Sequence, residues 1–77
     1  LCSMIIVTGA AGFIGSCLVQ KLNQEAYFDI VISDDFSRED KTPNLIGKKF
    51  THQIDRKKLF DFIDANQNQI QFIFHIG

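Results

Sequence analysis

The sequence predicts an α/β protein, a parallel β-sheet with helices wound on both of its faces and strand order 3-2-1-4. Three observations predict it. Met4-Ile5-Ile6-Val7-Thr8 and Ile30-Val31-Ile32 are short, unbroken apolar and β-branched runs, the composition of strands buried on both faces. Stretches with apolar residues at helical spacing alternate with such runs, an order that demands right-handed crossovers and covered sheet faces. A glycine-rich stretch, Gly9 to Gly15, joins the first strand directly to the first helix.

Each element follows from its own residues. The first strand is Met4 to Thr8, ended by Gly9. Beyond the glycines, Ile14, Leu18 and Leu22 recur at four-residue spacing with Val19 alongside and Gln20, Lys21, Asn23 and Gln24 opposite, which is an amphipathic helix to about Gln24. The second strand, Ile30-Val31-Ile32, runs into Ser33-Asp34-Asp35, placing two carboxylates where a strand leaves the sheet. Ser37 to Lys49 is polar, holds the only proline, Pro43, and has no sustained period, so it reads as a surface loop with one turn around Asn44 to Ile46. Phe50 to Ile54 is a short third strand. Asp55 is a good N-cap for a helix with Leu59, Phe60 and Ile63 on its apolar face, ending near Asn66 to Asn68. Ile70 to Ile76 is the fourth strand, running into Gly77. A doubly wound sheet normally continues past its fourth strand, so residues 4–77 are expected to be the N-terminal part of a longer domain. Leu1-Cys2-Ser3, ahead of Met4, are taken as upstream residues outside it.

Composition narrows the class. The chain has 77 residues, 45% hydrophobic and 22% charged, with 8 Lys and Arg against 9 Asp and Glu, for a net charge of −1. A chain this short buries roughly 60% of its unfolded surface, enough for one small core. Near-neutral, interspersed charge excludes the basic footprint of a nucleic-acid binder. Cys2 and Cys17 have no metal-ligand spacing and make a poor framework for a secreted scaffold, and no apolar run approaches a membrane span, so a cytoplasmic protein is expected.

The chemistry is concentrated in Thr8-Gly9-Ala10-Ala11-Gly12-Phe13-Ile14-Gly15, a T-G-x-x-G-x-x-G spacing between strand and helix. Gly9 permits the tight turn off the strand, Gly12 lets backbone approach a pyrophosphate, and Gly15 allows close packing at the helix start. The helix N-terminus then offers N–H groups and a favourable dipole to an anion. Asp34 follows Gly15 at the roughly 20-residue distance where an acidic residue meets an adenosine ribose. Strand, helix and carboxylate together point to dinucleotide binding in a Rossmann-type sheet.

Asp34 and Asp35 would repel a 2′-phosphate and favour NAD, while Arg38, Lys41 and Arg56 could neutralise one and admit NADP. His75 reads as a satisfied core or strand-end histidine rather than a base, and Cys17 as a small helix-packing residue rather than a reactive thiol. The 8 phenylalanines read chiefly as core, Phe13 in the turn excepted.

The glycine turn, Asp34-Asp35 and Phe74-His75-Ile76-Gly77 together resemble the N-terminal part of an extended short-chain dehydrogenase/reductase, the family of nucleotide-sugar epimerases and dehydratases. The resemblance covers nearly the whole chain from Met4. Within the family, Met4 to Ser16, Lys41 with Asn44-Leu45-Ile46, Asp55-Arg56, and Gly77 after Phe74-His75 resemble the branch that epimerises ADP-glyceromanno-heptose at C6. This likeness implies that Phe13 and Ile14 contact the cofactor from a turn completed by Gly9, Ala11, Gly12 and Gly15. It further implies that Asp34 and Asp35 line the ribose, that Lys41 and Arg56 make basic cofactor contacts, and that Ile76 and Gly77 begin the loop passing the nicotinamide. It favours NADP, with NAD the alternative, and implies a nucleotide-sugar substrate and a homo-oligomer at full length. Asp35 and Ile76 depart from it, standing where the family usually has asparagine and where some of that branch have glutamate.

The family's Tyr-x-x-x-Lys pair is absent here: Tyr27 is the only tyrosine and Val31 stands four residues on. In the parent enzyme that pair would do the general acid/base work accompanying hydride transfer. Two other readings stay open, another sugar epimerase or dehydratase of the family acting on a UDP- or dTDP-sugar, and a non-catalytic dinucleotide-binding module.

Overall fold

The computed structural model describes residues 3–37 and 43–76. Strand β1 is Met4–Thr8, helix α1 Phe13–Gln24, β2 Ile30–Asp34, β3 His52–Asp55, α2 Leu59–Ala65 and β4 Ile70–His75. All pairings are parallel and the order is β3-β2-β1-β4, as expected. The register aligns Val7 with Ile32 and Phe74, and Thr8 with Ser33 and His75.

The two central strands are buried at every position because each has a strand on both sides and a helix on each face. Ile5, Val7, Ile30 and Ile32 pack with Val19 of α1, joined by Leu18 and Leu22. Met4, Ile6 and Val31 point the other way and pack with Leu59 of α2, joined by Phe62 and Ile63. Period-two alternation thus divides one sheet into two half-cores, one under each helix.

Helix α1 ends in a Schellman arrangement, the Tyr27 N–H donating to the Leu22 carbonyl and the Ala26 N–H to the Asn23 carbonyl. Ala26 occupies the left-handed position, φ 68°, where glycine is usual.

Several expectations are corrected. The third strand begins at His52, not Phe50, because Asn23 takes both main-chain groups of Lys49 (its Nδ2 donates to the Lys49 carbonyl at 2.9 Å, its Oδ1 accepts from the N–H at 2.7 Å) and holds that segment against α1. Asp55 does cap, accepting from the Lys57 N–H at 3.0 Å, but what it opens is a 3-10 turn, Arg56–Lys58. With α2 starting at Leu59, the inward positions are Leu59, Phe62 and Ile63, the i, i+3, i+4 set, and Phe60 faces out at 77% exposure. Nor are the phenylalanines chiefly core: Phe13, Phe28, Phe60 and Phe72 are exposed, while Phe36, Phe50, Phe62 and Phe74 only flank the buried clusters. Aliphatic side chains on the central strands fill the interior instead. Cys17 is exposed on α1 rather than packed.

Candidate functional site

At the carboxyl ends of the strands, β1 passes through Gly9 into α1. Gly9 has φ +64°, and a Cβ there would collide with the Ile76 carbonyl oxygen. A Cβ on Gly15 would collide with the Gly9 carbonyl, so the two glycines let strand end, turn and helix nest together. Gly12 differs. A Cβ there would meet only the Gly9 carbonyl oxygen, at 3.4 Å, and its other side is open.

Gly12 is also the N-cap of α1 and brings no side chain to cap it; the first helical bond is Ser16 N–H to the Gly12 carbonyl, 2.9 Å. The N–H groups of Phe13, Ile14 and Gly15 precede that bond and have no intrahelical acceptor. The helix therefore presents donors and the positive end of its dipole to the space beside Gly12, a ready anion site.

Asp34 ends β2 at 6% exposure. Its Oδ2 accepts from the Ala11 N–H at 2.9 Å and its Oδ1 from the Asp35 N–H at 2.6 Å, so the carboxylate braces the turn from behind. Asn44 completes the brace by donating to the Ala11 carbonyl at 2.8 Å. Thr8 ties in the fourth strand: its Oγ1 lies 2.9 Å from His75 Nδ1 and accepts from the Ile76 N–H at 3.0 Å. His75 is thus a bonded strand-end residue. Asp35 stands at the rim, its Oδ1 accepting from the Ser37 hydroxyl and N–H, with Arg56 Nη2 3.8 Å from its Oδ2. The Ser37 hydrogen bonds, aided by Arg56 and Lys57, hold the Asp35 carboxyl below its ordinary value.

These groups surround a cavity of about 680 Å³, the size of a small-ligand site. It gathers Gly9, Gly12, Phe13, Ile14, Gly15, Asp34, Arg56 and Ile76 of the residues singled out from sequence. Ala11 lies behind the turn with both main-chain groups bonded, and Asp35 lies outside the lining. Arg38, Lys41 and Gly77 lie outside the described residues. The lining also includes Thr8, Ser33, Leu59, Phe60 and His75, which sequence reasoning did not assign to the site. The β1 alignment of Thr8 with Ser33 and His75 is what brings three of them together, and strand adjacency, not spacing along the chain, is the property that would have found them.

A profile described as the NAD dependent epimerase/dehydratase family matches residues 5–77. The chain is 42% identical over 77 residues to the ADP-L-glycero-D-manno-heptose-6-epimerase of Brachyspira hyodysenteriae, covering 96% of this chain and 24% of that one. It is 40% identical over 76 residues to the enzyme of the same name from Fusobacterium nucleatum, covering 96% and 23%. Among solved structures, UDP-glucuronic acid 4-epimerase from Bacillus cereus in complex with NAD superposes with a TM-score of 0.69 at 31% identity, covering 95% of this chain and 26% of that one. The chain therefore spans about a quarter of the length of the relatives it matches. Glycine turn, braced aspartate and match from residue 5 to 77 agree: the chain belongs to the NAD-dependent epimerase/dehydratase family.

Proposed function

We propose that this chain is the cofactor-binding part of an NADP-dependent ADP-glyceromanno-heptose 6-epimerase. The observation that carries the reading is the uncapped start of α1 beside the open face of Gly12, set next to a buried carboxylate in one cavity. Those features fit a dinucleotide. The Phe13 and Ile14 N–H groups would bind the pyrophosphate, and Gly12 leaves it room. A carboxylate has about four acceptor sites, so Asp34 can brace the turn and still accept from ribose hydroxyls. Ile76, clipped to Thr8, begins the segment that passes the nicotinamide. When bound, the cofactor supplies the hydride acceptor and donor for transient oxidation and re-reduction of the sugar.

NADP rather than NAD rests on Arg56, whose side chain is 66% exposed and loosely paired with Asp35 at 3.8 Å. An exposed pair of that length is weak, whereas a guanidinium meets a phosphate through stronger charge-assisted bonds. Arg56 can therefore exchange partners, and while near Asp35 it offsets the carboxylate that would repel the 2′-phosphate. Lys41 is proposed as a second basic contact, and with it Asp35 and Gly77 as cofactor neighbours. The intact protein is proposed to work in the cytoplasm as a homo-oligomer on a nucleotide sugar; among the described residues no helix is long and apolar enough to cross a membrane.

The test is turnover by the intact protein of ADP-D-glycero-D-manno-heptose without added reductant, with inversion at C6 followed by NMR. UDP-glucuronic acid, named for the Bacillus cereus relative, is the competing substrate, and its turnover in place of the heptose would overturn the substrate assignment. Binding of cofactor with no sugar converted leaves the dinucleotide-binding module. Replacing Arg56 by Gln is expected to weaken NADPH binding about tenfold, as loss of a charge-assisted contact would, with NADH affinity nearly unchanged. Equal effects on both cofactors would remove the case for NADP.

A further inference from the structure

Among the described residues, the Ser33 hydroxyl oxygen is buried without a hydrogen-bond partner. Ser33 is 1% exposed and sits where β2 otherwise carries Ile30, Val31 and Ile32, all at 0%. A buried hydroxyl that makes no bond has lost its water for nothing in return, and an apolar residue would serve the strand better. Serine at this position has no reward within the protein itself.

Its surroundings say where a reward could come from. Ser33 shares a strand face with Val31, which packs toward α2, and in register it lies between Thr8 and Ile54. At this end of the sheet the α2 side is not closed by a side chain. It opens into the cavity, whose lining there comprises Ser33, Arg56, Leu59, Phe60 and Ile76. If the pyrophosphate is held at the start of α1 and the ribose at Asp34, the base lies on this side, its flat faces against the apolar Leu59, Phe60 and Ile76 and its edge toward the floor. We infer that the Ser33 hydroxyl is a hydrogen-bonding contact for the adenine ring of the bound dinucleotide. This inference rests on the dinucleotide reading proposed above, and it makes Ser33 a binding residue contributed by the middle of the sheet.

The experiment compares wild type, Ser33→Ala and Ser33→Thr in the intact protein, measuring NADPH and NADH affinity by fluorescence and the melting temperature of each protein without ligand. Ser33→Ala is expected to weaken both cofactors about threefold to tenfold, the worth of one ordinary hydrogen bond. Its melting temperature without ligand is expected to match or exceed wild type, because the hydroxyl has no internal bond to lose. Ser33→Thr, which keeps the hydroxyl, is expected to bind better than Ser33→Ala. Unchanged affinity in Ser33→Ala overturns the inference, as does an affinity loss accompanied by a lower ligand-free melting temperature, which would make Ser33 structural. A wild-type protein that binds neither cofactor overturns the dinucleotide reading as well, whereas a wild type that binds and a Ser33→Ala that binds equally well overturn the Ser33 contact alone.

Discussion

A methyl group added at Gly9 would run into the Ile76 carbonyl, and one added at Gly12 would meet only a carbonyl oxygen at 3.4 Å. The two glycines are three positions apart and do different things. Gly9→Ala places a side chain at φ +64° and against backbone, so it should lower stability by about 1 to 3 kcal/mol in urea titration. Gly12→Val should leave melting of the ligand-free protein nearly unchanged and abolish dinucleotide binding, because the new side chain fills the space beside the uncapped helix. Undiminished affinity in Gly12→Val would count against the phosphate site. Residues whose roles depend on their own neighbours in the chain were legible in the sequence: the glycine spacing, and Asp34 at the end of β2. Ser33 and His75 were not, because their surroundings are set by strand register, and Asp35 was read as a ribose contact when its nearest bonds are to Ser37.

At the scale of elements, strand and helix identities followed from periodicity, and their boundaries depended on side-chain bonds that periodicity does not contain. Asn23 holds Lys49 and so delays β3; Asp55 caps a 3-10 turn and so delays α2. That delay decides which phenylalanine faces the core. With both Phe60 and Phe62 in the segment, the inward one is fixed only once the helix is known to start at Leu59. The end of α1 supplies a separate test. Ala26 takes the left-handed conformation that its Cβ disfavours, so Ala26→Gly should raise stability by about 0.5 to 1 kcal/mol, read as a shift in the urea midpoint at constant slope. A lower midpoint would mean that the entropy lost by glycine on folding outweighs the relieved strain.

For the whole molecule, strand order and the two-sided placement of helices followed from the βαβ order and handedness of crossovers alone. The distribution of aromatic surface did not. β4 lies at the edge with Phe72 55% and Ile73 46% exposed, so the apolar run that read as interior strand is covered only in part. Charge adds a pH dependence. The Asp35 carboxyl is held below its ordinary value of 3.8 in the folded protein, so its contribution to stability is present above that value and is lost as pH falls through the lower folded one. Asp35→Asn should therefore show a shallower fall in stability below about pH 4 than wild type, measured by acid titration of the melting temperature. Parallel curves would remove Asp35 from that response. The clip between Thr8 and Ile76 has a consequence for timing. The glycine turn is finished in the chain by residue 15, yet one wall of its cavity is Ile76, and a bond spanning 68 positions seats that wall. During synthesis the binding cavity cannot close until β4 has emerged and crossed over, so recognition of its ligand is among the last things the growing chain acquires.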